Sequence, residues 1–297
     1  MDMKTLLQKN RSQVALVIGN GINMYGGPAT NSSWNKLLSS LAKEHLPSEL
    51  ENIPNGISFT EFYDVLELKS KKLDAEKSLQ KDFCNLMSQW RPSQHHQDVV
   101  NWAARSNSPI LTTNFEHTLA EAGSCSLHRT KKGGFTDFYP WESYYGQQQT
   151  SDPANEFGIW HINGMQHYHR SVRLGLTHYI GSAERARSWL YQGGSARFFS
   201  GKHSDSWKGA SSWLQIVFNC PLLIFGLSLG ENEVFFRWLL IERAKYFKKF
   251  PEQKKDAWYV YTGEENDVGK NFFLEGVGIK PIKVDSYDDI YSSAVWA

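Results

Sequence analysis

Val14-Ala15-Leu16-Val17-Ile18-Gly19-Asn20-Gly21-Ile22-Asn23 runs an unbroken apolar segment straight into a Gly-x-Gly turn. Apolar residues without alternation suit a strand buried on both faces, as in a parallel sheet. The glycines accept positive φ and let another backbone come close. Main-chain N–H groups at the start of a following helix can then face a pyrophosphate, which makes Gly19, Asn20, Gly21 and Asn23 candidate ligand-binding residues. A strand can also end in a glycine turn for packing reasons alone. Gly26 comes too late for the GxGxxG fingerprint, and no acidic residue stands at a second strand end to hold a ribose, which argues against hydride transfer.

Working outward, the same pattern recurs. Ile110-Leu111-Thr112-Thr113-Asn114-Phe115-Glu116 is an apolar strand that delivers Thr113, Asn114 and Glu116 at its carboxyl end. Gly158-Ile159-Trp160-His161-Ile162-Asn163-Gly164 is another, and strand alternation puts His161 and Asn163 on one side with Trp160 and Ile162 on the other. Leu223-Ile224-Phe225-Gly226-Leu227-Ser228-Leu229-Gly230-Glu231 adds Gly226, Ser228 and Glu231. Asn and Thr at such ends also serve as helix caps, and Glu116 or Glu231 can simply complement a helix dipole. Polar residues gathered at several strand ends nevertheless suit one shared ligand site.

Apolar runs predict strands at Val14–Ile18, Pro109–Leu111, Gly158–Ile162, Leu222–Phe225, Trp258–Tyr261 and Ile279–Val284. Trp34, Leu37, Leu38 and Leu41 share one helical face, so Ser33–His45 reads as an amphipathic helix capped by Ser32 or Ser33. Another helix is expected after Glu231. Strand and helix in alternation predict an α/β fold, a Rossmann-like open and mostly parallel sheet with helices on both faces, whose ligands sit beyond the carboxyl ends of the strands. Phe59–Ser106 reads as consecutive helices and His178–Ser212 as helix mixed with Gly/Ser-rich loop. The expectation is a single domain over 1–297, with helical insertions at about 43–106 and 178–212 that cap the crevice.

Composition narrows the function. Lys plus Arg number 32 against 31 Asp plus Glu, a net charge of +1, so no global field draws the chain to nucleic acid or an acidic membrane. Hydrophobic residues make up 40% and aromatics 14%, with 11 Trp, as expected of a folded protein. Cys84, Cys125 and Cys220 are scattered and form neither a disulfide framework nor a zinc ribbon, which fits a reducing cytoplasm. No apolar run is long enough for a membrane span, and Met1–Asn10 reads as a short helix rather than a signal peptide. His167 and His169 lack metal-ligand partners at a recognisable spacing, so no metal is expected. His95 and His96 read as a solvated helix start, and the lysines of Lys245–Lys255 as a helix C-terminus.

Taken together, Gly-Asn-Gly-Ile-Asn, Thr-Thr-Asn-Phe-Glu, His-Ile-Asn-Gly and Gly-Leu-Ser-Leu resemble the sirtuin superfamily, over roughly Val14 to Glu231. Without zinc cysteines the chain is more similar to the sirtuin-like NAD hydrolases of bacterial anti-phage defence than to protein deacylases. Ser171–Tyr179 also resembles those proteins, more weakly. The resemblance implies that Asn114 and His161 are catalytic, with Asn114 orienting ribose hydroxyls and water and His161 acting as hydrogen-bond partner or base. It implies that Gly19, Asn20, Gly21 and Asn23 hold phosphate and ribose, that Gly226 and Ser228 line the adenosine side, and that Thr113, Glu116, Asn163 and Glu231 contact substrate.

One position departs from the family pattern. Its histidine directly precedes the glycine, where Asn163 stands here, and His161 lies two residues earlier, about 6–7 Å along a strand. The implied activity is hydrolysis of NAD+ to nicotinamide and ADP-ribose, with NAD+ as substrate and no other cofactor. ADP-ribosyl transfer or cyclisation and a non-catalytic NAD or ADP-ribose sensor are the alternatives. A homo-oligomer and an operon-encoded partner such as a hexameric ATPase are implied as means of control.

Overall fold

The computed structural model describes residues 2–11, 13–26, 33–46, 52–70, 78–131, 139–193, 197–201, 206–263 and 267–297. Its strands are β1 (Ala15–Ile18), β2 (Ile110–Thr112), β3 (Ser126–Arg129), β4 (Ser143–Gly146), β5 (Ile159–His161), β6 (Leu222–Phe225), β7 (Ala257–Thr262) and β8 (Lys280–Val284). Its helices are α1 (Met3–Lys9), α2 (Gly21–Met24), α3 (Trp34–His45), α4 (Phe59–Lys69), α5 (Leu79–Leu86), α6 (Gln94–Arg105), α7 (Thr118–Ala122), α8 (Leu176–Tyr191), α9 (Trp213–Asn219), α10 (Val234–Lys249), α11 (Val268–Gly276) and α12 (Asp288–Tyr291).

All strands join one sheet in the order β3-β4-β5-β2-β1-β6-β7-β8. From β5 to β8 every pairing is parallel. Counted along the chain, those parallel strands stand 3-2-1-4-5-6, the doubly wound order of Rossmann-like folds. Only β4 runs against the others, pairing antiparallel with both β3 and β5 at one edge. They escaped the apolar-run reading because Ser126, His128 and Arg129 interrupt one and the other is only Ser143–Gly146. Tyr144 of β4 stacks on Trp160 of β5 with centroids 4.5 Å apart, which fixes that addition.

The unbroken apolar run of β1 has a direct cause. Ala15 and Val17 enter a core on one sheet face with α8–α11, while Leu16 and Ile18 enter a second core on the other with α1, α6, α7 and α12. Trp160 and Ile162 lie in the first core and Ile159 in the second, the alternation expected for this segment. At the far edge, β8 turns Lys280, Pro281 and Lys283 outward and Ile282 and Val284 inward.

A third core joins α3, α4 and α5 to Phe115 just beyond β2. The consecutive helices expected over Phe59–Ser106 thus divide. α4 and α5 build this separate cluster with α3, whereas α6 packs on the sheet as the crossover into β2. α8 begins at Leu176 and buries Ala186, Trp189 and Leu190 in the first core. Ser33 caps α3 through a bond from the Lys36 amide; Ser32 lies outside the described residues. The lysine run ends α10 as expected, with Lys248 and Lys249 in its last turn.

Candidate functional site at the strand ends

The chain passes from β5 on one side of β1 to β6 on the other, so the crevice of this topology opens over the carboxyl ends of β1 and β6. The two glycine turns meet there. A Cβ on Gly19 would lie 2.4 Å from Gly226 O, and one on Gly21 2.7 Å from Gly226 Cα. Gly226 itself has φ +65. The Gly21 N–H donates to Gly226 O at 2.7 Å, and the Ile22 and Asn23 amides bond back to Gly19 O and Asn20 O. These glycines therefore interlock two strand ends, and α2 beyond them is only four residues long. Tyr259 Oη donates to the carbonyls of Leu227 (3.0 Å) and Ser228 (3.1 Å), and Arg237 to that of Leu229, which pins the loop after β6.

Over β2 the site is made of side chains. Glu116, 2% exposed, accepts through Oε1 from Asn23 Nδ2 (2.7 Å), Thr118 Oγ1 (3.0 Å) and Asn114 Nδ2 (3.3 Å). Its Oε2 and the Oδ1 of Asn114 are buried without a hydrogen-bond partner. Burial raises the Glu116 carboxyl above the usual carboxylate range, against the lowering effect of its hydrogen bonds. Unsatisfied buried acceptors are costly, so two beside one another at a strand end mark a place prepared for donors.

The histidines arrange this cluster from behind. His161 Nδ1 donates to Asn114 O at 2.8 Å, which leaves Nε2 as the unprotonated nitrogen, buried and unpartnered. Burial pushes His161 down to about 3, so the ring is neutral at pH 7. His161 joins Asn114 through the backbone and lines none of the clefts at the strand ends. Asn163 Nδ2 donates to Thr113 O at 3.2 Å and ties the end of β5 to that of β2.

His95 and His96 are not solvated: both are buried, because α6 packs under α2. His95 Nε2 donates to Ile22 O (2.7 Å). The Ser93 amide donates to His96 Nδ1, so His96 Nε2–H donates to Asn23 Oδ1 at 3.0 Å and turns the Asn23 amide nitrogen toward Glu116. Seventy-three residues separate the partners, beyond the reach of local sequence patterns.

Besides a cleft of about 270 Å³ lined by Glu116, His117 and Gln166, two further spaces adjoin this framework. A cleft of about 340 Å³ is lined by Asn20, Gly21, Thr113, Gly226 and Ser228, all predicted, together with Glu233 and Tyr259, which were not. A narrow recess beside it is lined by Asn20, Trp34, Trp90, Asn114 and Glu116. Asn20 and Trp34 belong to both. Glu231 is exposed and lines neither, whereas Glu233, two residues on, faces the cleft. Among the described residues, no group of three His, Cys, Asp or Glu is placed to hold a metal, and no helix is long and apolar enough to cross a membrane. No family model, curated protein or solved structure matches the chain.

Proposed function

We propose that the chain binds NAD+ across this crevice and hydrolyses its nicotinamide–ribose bond, as an NAD-depleting enzyme of anti-phage defence. The observation that carries the reading is the pair of unpartnered buried acceptors, Asn114 Oδ1 and Glu116 Oε2, in a recess that shares walls with the switch-point cleft. The phosphates and adenosine of a dinucleotide occupy the larger cleft. The recess, about 10 Å³ and thus room for about one water, takes the attacking water, with the reacting ribose at its mouth.

The chemistry asks little acid help. The C1′–N bond breaks and its electron pair leaves with nicotinamide, which turns a cationic ring neutral and leaves an oxocarbenium-like ribose. Asn114 Oδ1 accepts from a ribose hydroxyl or from the incoming water. Water attacks C1′ and its proton passes to Glu116, whose raised affinity for protons suits a base. His161 acts as a positioning residue, holding the Asn114 carbonyl and hence the turn that presents the Asn114 side chain. Control through self-association or a partner ATPase, in a cytoplasmic setting, belongs to the same reading.

Nicotinamide and ADP-ribose released from NAD+ should be measured with the purified chain, alone and with its neighbouring gene product. Asn114→Ala should lower turnover by about 10³-fold, the scale of losing one preorganised polar group. Undiminished turnover in that variant would remove the proposed centre. A second reading, a non-catalytic NAD sensor, is favoured by the enclosed His161 ring and by Asn163 in the family histidine's place. Binding of NAD+ without consumption, with the partner present, would decide for it.

A further inference from the structure

We propose that Glu233 makes the larger cleft selective for an adenine dinucleotide whose adenosine ribose carries both hydroxyls free, NAD+ rather than NADP+. The inference rests on the reading of the cleft as a dinucleotide site and names its discriminating residue.

Glu233 stands at the position before α10 where a side chain ordinarily caps the helix, yet its carboxylate makes no cap hydrogen bond. Among the described residues that carboxylate has no hydrogen-bond or ion-pair partner. The turn from Gly230, closed by the Glu233 amide on Gly230 O at 3.0 Å, directs the residue into the cleft instead of outward like Glu231. Half-burial there, with no donor to compensate, pushes its carboxyl up to about 7. A carboxylate in that state gains from hydroxyl donors, and the vicinal diol of a ribose offers two to its two oxygens.

Its surroundings define the other half of the selectivity. Of the described residues lining the cleft, Glu233 alone carries a formal charge; no lysine, arginine or histidine is among them. The reacting end belongs with Asn114 and Glu116 over β2, so the adenosine end extends over β6 and β7, where Ser228, Tyr259 and Glu233 stand. A 2′-phosphate at that end would face a carboxylate with no cation among the described residues that line the cleft, since Lys270, 5.6 Å from the Tyr259 ring centroid, is buried and not part of the lining. Like charges brought together in a partly dry site are strongly disfavoured.

ADP-ribose and its 2′-phosphate are the probes, since neither can be consumed by nicotinamide release. Calorimetric titration of the full wild-type chain should show the 2′-phosphate binding on the order of 100-fold more weakly. Glu233→Gln should weaken ADP-ribose about tenfold, the loss of charge from one hydrogen-bond acceptor, and narrow the preference to less than about tenfold. An unchanged melting temperature identifies a folded variant, and the wild-type ratio stands as a test that needs no variant. Equal binding of both probes by wild type, or a ratio untouched by Glu233→Gln, would overturn the role of Glu233 while leaving the cleft a dinucleotide site. Failure of both probes and of NAD+ to bind wild type would take down the dinucleotide reading and this one with it.

Discussion

Over β1 and β6 the crevice is built from backbone, with Gly19, Gly21 and Gly226 in mutual contact and the Gly21 amide committed to Gly226 O. Over β2 it is built from side chains, with Asn114 and Glu116 each holding one buried oxygen that nothing satisfies and the His161 ring of β5 enclosed behind them. In the sequence both look alike, an apolar strand followed by glycine or a small polar residue. Physically they are opposites. One is a joint whose polar groups are occupied in holding two strand ends together; the other keeps acceptors in reserve at a cost to stability.

The sharpest way to break this contrast is substitution at the joint. Gly19→Val places a branched side chain where a Cβ already lies within 2.7 Å of Leu227 Cα, and neither backbone can yield freely. A loss of more than about 3 kcal/mol is expected from urea unfolding, the range of severe overpacking. Asn114→Ala should instead cost under about 1 kcal/mol, since its side-chain hydrogen bonds are long, 3.3 and 3.5 Å, and its Oδ1 bonds nothing. A Gly19→Val chain as stable as wild type, or an Asn114→Ala chain that unfolds, would erase the distinction.

Acid separates the regions next. His161 and His96, 1% and 2% exposed, are each held down to about 3 by burial, below the 6.5 of a free imidazole. The unfolded chain therefore takes up protons first. Stability should fall as pH drops from 6.5 toward 3, by about 1.4 kcal/mol per pH unit for each ring. Unfolding midpoints at pH 7 and 5 measure this, and His161→Gln should remove about half of the decline from this pair. A slope untouched by that change would mean that His161 is not buried neutral.

The smallest effect has the opposite sign. Glu116 is raised by burial, so its contribution is fully present below the ordinary carboxylate value and is lost as pH rises through its folded value. Glu116→Gln should be neutral or stabilising by up to about 1 kcal/mol at pH 8. Marked destabilisation there would show the charge itself to be structural.

These particulars also show what the sequence discloses. Each of the six parallel strands was legible to within a residue or so; in the inner ones burial on both faces writes a continuous apolar run, as in Leu222–Phe225, and in β8 apolar residues alternate with lysines. β3 and β4 were not, since an edge addition with Ser, His and Arg carries no such run. The residues Asn114, Glu116 and Asn23 could be named one by one, but their meeting at Glu116 Oε1 depends on side chains 93 residues apart. The Gly-x-Gly turn suggested amides open to a phosphate, and only the neighbouring strand end reveals where the Gly21 amide goes. Glu231 was singled out and Glu233 passed over because a single turn reverses which of them faces inward.

The outermost strand has a consequence for behaviour in crowded solution. A free sheet edge is a template for a further strand from another molecule. On β8, Pro281 has no N–H to offer, and Lys283 would bring positive charge onto any incoming chain, while the exposed Lys280 pairs with Asp256 at 2.9 Å. Templated growth of the sheet into aggregates is thereby resisted at this edge, and the buried Ile282 and Val284 stay within their own molecule.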